Sequence, residues 1–122
     1  DQRHLLNLYG EKEINAEGCV TGKFISQGGI AGRKESTGLG CFYVVQDLLR
    51  NDSFCEKAGV NPGIKGKKVI VQGFGNVGYY FAKHMYKKGA KIVGIIEKDV
   101  GLYSENGFDP DDVKMNLMQG NL

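Results

Sequence analysis

Apolar positions change their period several times along the 122 residues, and each change marks an element. Leu39, Phe42, Val45, Leu48 and Leu49 recur at helical spacing and predict a helix from Thr37 to about Asn51. From Lys67 the pattern shortens to Val69-Ile70-Val71, a β-branched run typical of a strand covered on both faces in a parallel sheet. After the next glycines, Val77, Tyr80, Phe81, His84 and Met85 return to helical spacing, and Gly89 behind Lys87-Lys88 supplies a stop. A second β run, Ile92 to Ile96, follows a loop too short for anything except a return to the same sheet. Leu102-Tyr103 and Gly107-Phe108 around Ser104-Glu105-Asn106 read as a small hairpin. Asp109-Pro110-Asp111-Asp112 then reads as an N-cap, a first-position proline and first-turn acids of a helix running to about Gln119. Nearer the N-terminus the signals are weaker. Residues 1 to 9 read as the end of a helix, residues 18 to 34 as a loop with a short extended segment, and Asn61-Pro62-Gly63 as a turn between subregions.

Composition narrows the function classes. Hydrophobic residues make up 41% and charged residues 25% of the chain, with no apolar run long enough for a membrane span. Sixteen basic residues against fourteen acidic ones leave +2, scattered rather than striped, which argues against nucleic acid. Cys19, Cys41 and Cys55 form no Cys-x-x-Cys pair, and His4 and His84 stand alone, so neither a disulfide framework nor a metal site is expected. The first residues lack the apolar core of a signal peptide and the character of a transit peptide. Nineteen glycines, about twice the usual share, cluster between Gly18 and Gly40 and between Gly59 and Gly78, as candidate ligand loops would.

Gly73-Phe74-Gly75-Asn76-Val77-Gly78 fits G-x-G-x-x-G, and its context gives the match force. Gly73 permits a tight turn, Gly75 lets backbone approach a pyrophosphate, and Gly78 lets helix and strand pack closely. The phosphates would face the amides and positive end of the helix starting near Asn76. Glu97, nineteen residues after Gly78 at the end of the second strand, can accept bonds from a ribose hydroxyl pair. Lys98 beside it could neutralise a 2′-phosphate, which leaves NAD against NADP open. The expected fold is α/β, a partial Rossmann-type dinucleotide-binding fold with its first two parallel strands, preceded by a loop-and-helix segment. In the strand order 3-2-1-4 both strands would keep an unpaired edge.

Val20-Thr21-Gly22-Lys23, Ile25 to Ile30, Gly32-Arg33, Ser36-Thr37-Gly38 and Val71 to Gly78 together resemble the glutamate dehydrogenases, in the larger, animal-type branch of the glutamate, leucine, phenylalanine and valine dehydrogenases. The resemblance implies oxidative deamination of glutamate to 2-oxoglutarate and ammonia, with hydride passed to NAD or NADP. It implies cofactor binding by Arg33, Thr37, Gln72, Phe74, Gly75, Asn76, Val77 and Glu97, beside Gly73 and Gly78 of the motif. Arg33 and Thr37 also make sense as polar groups in a glycine-lined loop, and Thr37 as a helix N-cap. By the same resemblance residues 1–60 are a linker region with a helix from the substrate-side lobe, and residues 61–122 the N-terminal part of the NAD(P)-binding domain. The family's catalytic lysine and aspartate belong before residue 1, so no catalytic residue is assigned, and the chain is expected to be a fragment or a shortened subunit. Homo-oligomers and a mitochondrial matrix location are implied, with cytoplasm otherwise. Phe24 stands where the family usually has proline, and Leu39 where a second arginine often follows Thr-Gly. Those departures motivate an alternative: a truncated, catalytically inactive subunit with a structural role among unlike partners.

Overall fold

The computed structural model describes residues 22–120. The expected helix end over residues 1 to 9, His4 and Cys19 lie outside them. The chain divides into two compact units, Asp1–Ser36 and Thr37–Leu122. In the described part of the first unit, a 3-10 turn over Ile25–Gln27 ends on Gly28 in the left-handed region. No strand forms between residues 22 and 34, so the extended segment expected there is absent from the described part of that loop. Gly29 folds back so that its amide donates to the Phe24 carbonyl at 3.0 Å, a closure only glycine allows, since a Cβ there would lie 2.0 Å from the Lys23 oxygen.

Helix α1, Arg33–Arg50, begins four residues earlier than its apolar spacing indicates. The left-handed turn at Gly32 and the polar, helix-tolerant Lys34 and Glu35 let it start there, with the Ser36 amide donating to the Gly32 carbonyl at 3.1 Å. A short helix, α2, Asp52–Ala58, follows without an apolar stripe to announce it. Its signals are the ends: the Asn51 side chain accepts from the Phe54 amide at 2.9 Å, and Gly59 closes it at φ +71°.

The second unit is built on a three-stranded sheet in the order β1 (Lys68–Gln72), β2 (Lys91–Ile96), β3 (Gly101–Phe108). Helix α3, Asn76–Lys87, connects β1 to β2, which run parallel, so strand, helix and strand form one βαβ unit within a mixed α/β fold. β3 runs antiparallel to β2 and occupies its other edge. The sequence predicts two open edges, one on each parallel strand; β3 fills the one on β2, and among the described residues the sheet's edges are the outer sides of β1 and β3. The reversal is made by the turn after β2, where the Glu97 amide donates to the Val100 carbonyl at 2.7 Å. The hairpin expected around Ser104-Glu105-Asn106 is therefore an excursion inside one strand. Tyr103 pairs with Gly94 and Phe108 with Ile92, leaving Ser104 to Gly107 against Val93 alone. Helix α4, Pro110–Met118, opens as its sequence predicts, with Asp109 capping and Pro110 in the first turn.

The core gathers Phe42 from α1, Val71 and Ile95 from the parallel strands, Ala82 and Met85 from α3, and Val113 from α4. Burying each large side chain contributes about 1.5–3 kcal/mol before entropy is counted. Residues 37 to 50 thus pack on the same core as the sheet, while Leu48 of their apolar stripe stays exposed. Among the described residues, β1 is covered on one face only. Ile70, Ile96 and Tyr103 share the opposite face and stand open, Ile70 at 63% and Tyr103 at 72% exposure. Ile70 rests instead beside Gly94, where a Cβ would come 3.0 Å from its Cγ1. His84 lies against the Phe42 ring at 5.6 Å, Cys55 is buried, and Cys41 is exposed. No described helix is long and apolar enough to cross a membrane.

Candidate functional site

Everything at the carboxyl end of β1 is arranged by glycines with different duties. Gly73 takes φ +86°, turning the chain out of the sheet, and its amide donates to the Ile96 carbonyl at 2.7 Å, tying the turn to the end of β2. Gly78 sits one turn into α3 directly against that turn. A Cβ there would lie 1.8 Å from the Gly73 oxygen and 3.2 Å from Val71 Cγ1. Gly75 is different: nothing lies within 4 Å of its would-be Cβ, and its φ of −78° suits any residue. Steric need for glycine at Gly75 comes only from whatever approaches from outside.

Gly75 is also the N-cap of α3, and no side chain caps the helix there. The first intrahelical bond runs from the Tyr79 amide to the Gly75 carbonyl at 2.9 Å, so the preceding first-turn amides have no helical acceptor. Those amides and the positive end of the helix dipole stand at the edge of a cleft of about 570 Å³, a size usual for small-molecule pockets. Gln72, Gly73, Gly75, Asn76, Val77 and Gly78 line it from the turn, and Cys41 and Val45 from α1.

α1 reaches this cleft because of a fourth glycine. Gly38 is buried against the start of α3, where a Cβ would meet the Val77 carbonyl oxygen at 2.7 Å and the Phe81 nitrogen at 3.0 Å. Thr37 precedes it, exposed, in the second turn of α1. It is therefore not the N-cap, and neither Arg33 nor Thr37 lies in the loop expected to hold them, because the helix begins at Arg33. Arg33 belongs to the first unit, where its carbonyl accepts from Ser36 Oγ at 3.0 Å. Nothing in the local sequence gives Gly38 a packing role; only the interhelical approach reveals one.

On the other side of the turn the Phe74 side chain is 2% exposed, sunk in the core, so only its backbone is offered to a ligand. Its amide donates to Glu97 Oε1. A carboxylate has roughly four acceptor directions, so this bond leaves capacity for hydroxyl donors. Glu97, Lys98, Lys114, Leu117 and Met118 border a second cleft of about 400 Å³. Behind it, Tyr79 links α3 to α4. Its hydroxyl donates to Asp111 Oδ1, Lys83 Nζ lies 3.9 Å from the same oxygen, and Lys114 Nζ lies 5.5 Å from the ring centroid. The Asp111 bond, with burial and the carboxylate charge, pushes the Tyr79 phenol up to about 12. No motif singles out Lys114 or Tyr79, because α4 is brought to the turn only by tertiary packing.

Similarity to known proteins agrees with this architecture. Residues 28–119 match the profile of the Glutamate/Leucine/Phenylalanine/Valine dehydrogenases. The mitochondrial glutamate dehydrogenase of Dictyostelium discoideum is 40% identical over 117 residues, covering 96% of this chain and 23% of that protein. A cryptic catabolic NAD-specific glutamate dehydrogenase of Bacillus subtilis is 41% identical over 99 residues, 81% of this chain and 21% of that protein. Among solved structures, the glutamate dehydrogenase of Peptoniphilus asaccharolyticus aligns with a TM-score of 0.66 at 31% identity, covering 95% of this chain and 28% of that one. The hetero-hexameric glutamate dehydrogenase of Thermus thermophilus, in its Leu-bound form, aligns at 0.63 and 30% identity, covering 85% and 23%. The chain thus spans between 21% and 28% of the length of these relatives. With its ordered glycine turn, its βαβ unit and a profile match over most of its length, the chain belongs to the Glutamate/Leucine/Phenylalanine/Valine dehydrogenase family.

Proposed function

We propose that this chain is the part of a glutamate dehydrogenase that holds a nicotinamide dinucleotide while glutamate is oxidatively deaminated to 2-oxoglutarate and ammonia. The observation that carries the reading is one loop with two facilities. An uncapped helix start is bared by Gly75, which has no steric neighbour of its own, and the carboxylate of Glu97 is hydrogen-bonded to the same loop through Phe74. When bound, the cofactor supplies the hydride acceptor. The chain's residues bind and orient it: first-turn amides of α3 hold the pyrophosphate, and Glu97 accepts from ribose hydroxyls. Gly73 and Gly78 keep strand and helix at the spacing that presents those amides. Gln72, Asn76 and Val77 line the approach with Phe74 supplying its backbone, and the family resemblance would add Thr37 and Arg33 as cofactor-binding residues. In this reading residues 61–122 open the NAD(P)-binding domain and residues 1–60 lead in from the substrate-side lobe. The Dictyostelium relative supports a mitochondrial location.

The test is made on the full-length protein that carries this chain. Saturable NADH binding together with glutamate-dependent reduction of NAD or NADP is expected; absence of both overturns the proposal. A second reading, a non-catalytic member of a mixed assembly, draws on Phe24 and Leu39 and on similarity to the hetero-hexameric Thermus enzyme. Native mass of the purified complex separates the two: unlike subunits without turnover favour the second, a single active subunit type the first.

A further inference from the structure

We infer that the amino-terminal end of the parallel strands, opposite the glycine turn, is a docking surface for an anionic phospholipid bilayer, held there by six lysines. From residue 57 to residue 96 the chain carries eight lysines and no acid, although its overall charge is only +2. Along the sequence these lysines look scattered, and folding collects six of them. Lys65 and Lys67 lie just before β1, Lys68 opens β1, Lys91 opens β2, and Lys87 and Lys88 finish α3. Backbone bonds fasten the two segments side by side, from the Gly66 amide to the Gly89 carbonyl at 2.9 Å and from the Lys91 amide to the Lys67 carbonyl at 2.8 Å. Lys68 pairs with Lys91 across the strands. Like charges on paired strands repel, so this end of the sheet costs stability. Attraction to the helix end accounts for Lys87 and Lys88 but not for the other four. Five of the six are exposed and Lys67 is half-buried, and among the described residues no ion pair joins any of them to an acid. The β3 excursion passes Lys91 at Gly107, and its Glu105 forms no ion pair there.

The chemistry of the patch favours lipid headgroups over bases. Ammonium point charges suit phosphates, whereas the patch has no arginine to pair with or stack on a base, and its one aromatic ring is Tyr86, 44% exposed on the last turn of α3. A single amphipathic ring next to a lysine cluster fits the headgroup level of a bilayer. The glycine turn lies one strand length away, roughly 17 Å for five residues, so a docked bilayer leaves it open.

The experiment sediments the full-length protein that carries this chain with vesicles of phosphatidylcholine alone and of phosphatidylcholine with about one-quarter phosphatidylserine, at low and physiological salt. Binding to the anionic vesicles alone is expected, weakening as salt rises. Each lysine near an anionic surface adds about fivefold, so a triple variant, Lys65→Gln with Lys68→Gln and Lys91→Gln, is expected to bind about a hundredfold less tightly. Its melting temperature should be no lower than the parent's, because repulsion between the paired strand starts is relieved. The matching variant, Lys65→Arg with Lys68→Arg and Lys91→Arg, keeps the charges and is expected to keep vesicle binding. No sedimentation with anionic vesicles overturns the inference, as does equal sedimentation with both kinds, or undiminished binding by the triple glutamine variant. Tighter binding to single-stranded RNA than to the vesicles at equal phosphate concentration overturns it too, in favour of a nucleic-acid surface. NADH affinity, measured without vesicles, is expected to be the same in all three proteins, and its absence would remove the dinucleotide reading while leaving this inference standing.

Discussion

Two clefts flank the glycine turn, and they are built from different materials. The one in front of α3 is lined, among the described residues, by glycine backbone, Gln72, Asn76, Cys41 and apolar side chains. The one beyond Glu97 is bordered by two acids and two lysines. What the described lining of the first offers an anion is backbone amides and a helix dipole, so its requirement is spacing. The second holds whatever its side-chain charges match, so its requirement is identity. A family can keep the first while altering the second.

The largest expected effect breaks the first cleft at its foundation. Gly78→Val puts a Cβ where the Gly73 carbonyl stands, 1.8 Å away, and neither backbone can yield without separating strand from helix. A loss of about 3 kcal/mol or more in denaturant unfolding is expected, with binding lost as well. Gly38→Ala is milder, because its Cβ would meet the Val77 carbonyl oxygen at 2.7 Å rather than 1.8 Å. It should cost about 1–3 kcal/mol and open the Cys41 side of the cleft, read as faster labelling of that exposed thiol. Glu97→Gln sharpens the contrast between the clefts. Under the proposed function it removes the charge offered to ribose and should weaken NADH about tenfold, with stability changed by only about 1 kcal/mol as the amide oxygen still accepts from Phe74.

The smallest effect concerns the tie between α3 and α4. The Tyr79 phenol is raised to about 12, first by its bond to Asp111 and then by burial. The folded state therefore favours the neutral phenol. Its contribution is complete below the unfolded value near 10 and is lost as pH rises from there through about 12. Asp111→Asn should move one tyrosine's phenolate absorbance toward the ordinary value and leave neutral-pH NADH affinity little changed.

Legibility in the sequence follows the same division. The βαβ unit can be read from residues 67 to 99 because its signals are local: β-branched runs, helical spacing, and glycines whose conformations the turn requires. Gly73 and Gly78 occupy the positions the motif demands. What the sequence hides depends on neighbours distant along the chain. Gly38 looks like any helix glycine until α3 is packed against it, and α2 has ends without a stripe. Ser104 to Gly107 carries turn-forming residues, yet Tyr103 and Phe108 both find partners on β2, and that pairing overrides the local signal. Lys114 joins Glu97 only through the docking of α4, which no spacing within either segment encodes. The exposed Ile70 shows the converse, since a run that reads as doubly buried is covered on one side alone among the described residues.

The most direct test of dinucleotide binding at this turn uses Gly75, where the fold makes no steric demand and a ligand would. In the full-length protein, Gly75→Val should leave the melting temperature within about 2 °C of the parent, given a stability change of about 0.5 kcal/mol, while NADH affinity falls at least about tenfold. Unchanged NADH affinity in a folded Gly75→Val protein would contradict the claim that backbone at this turn approaches a dinucleotide.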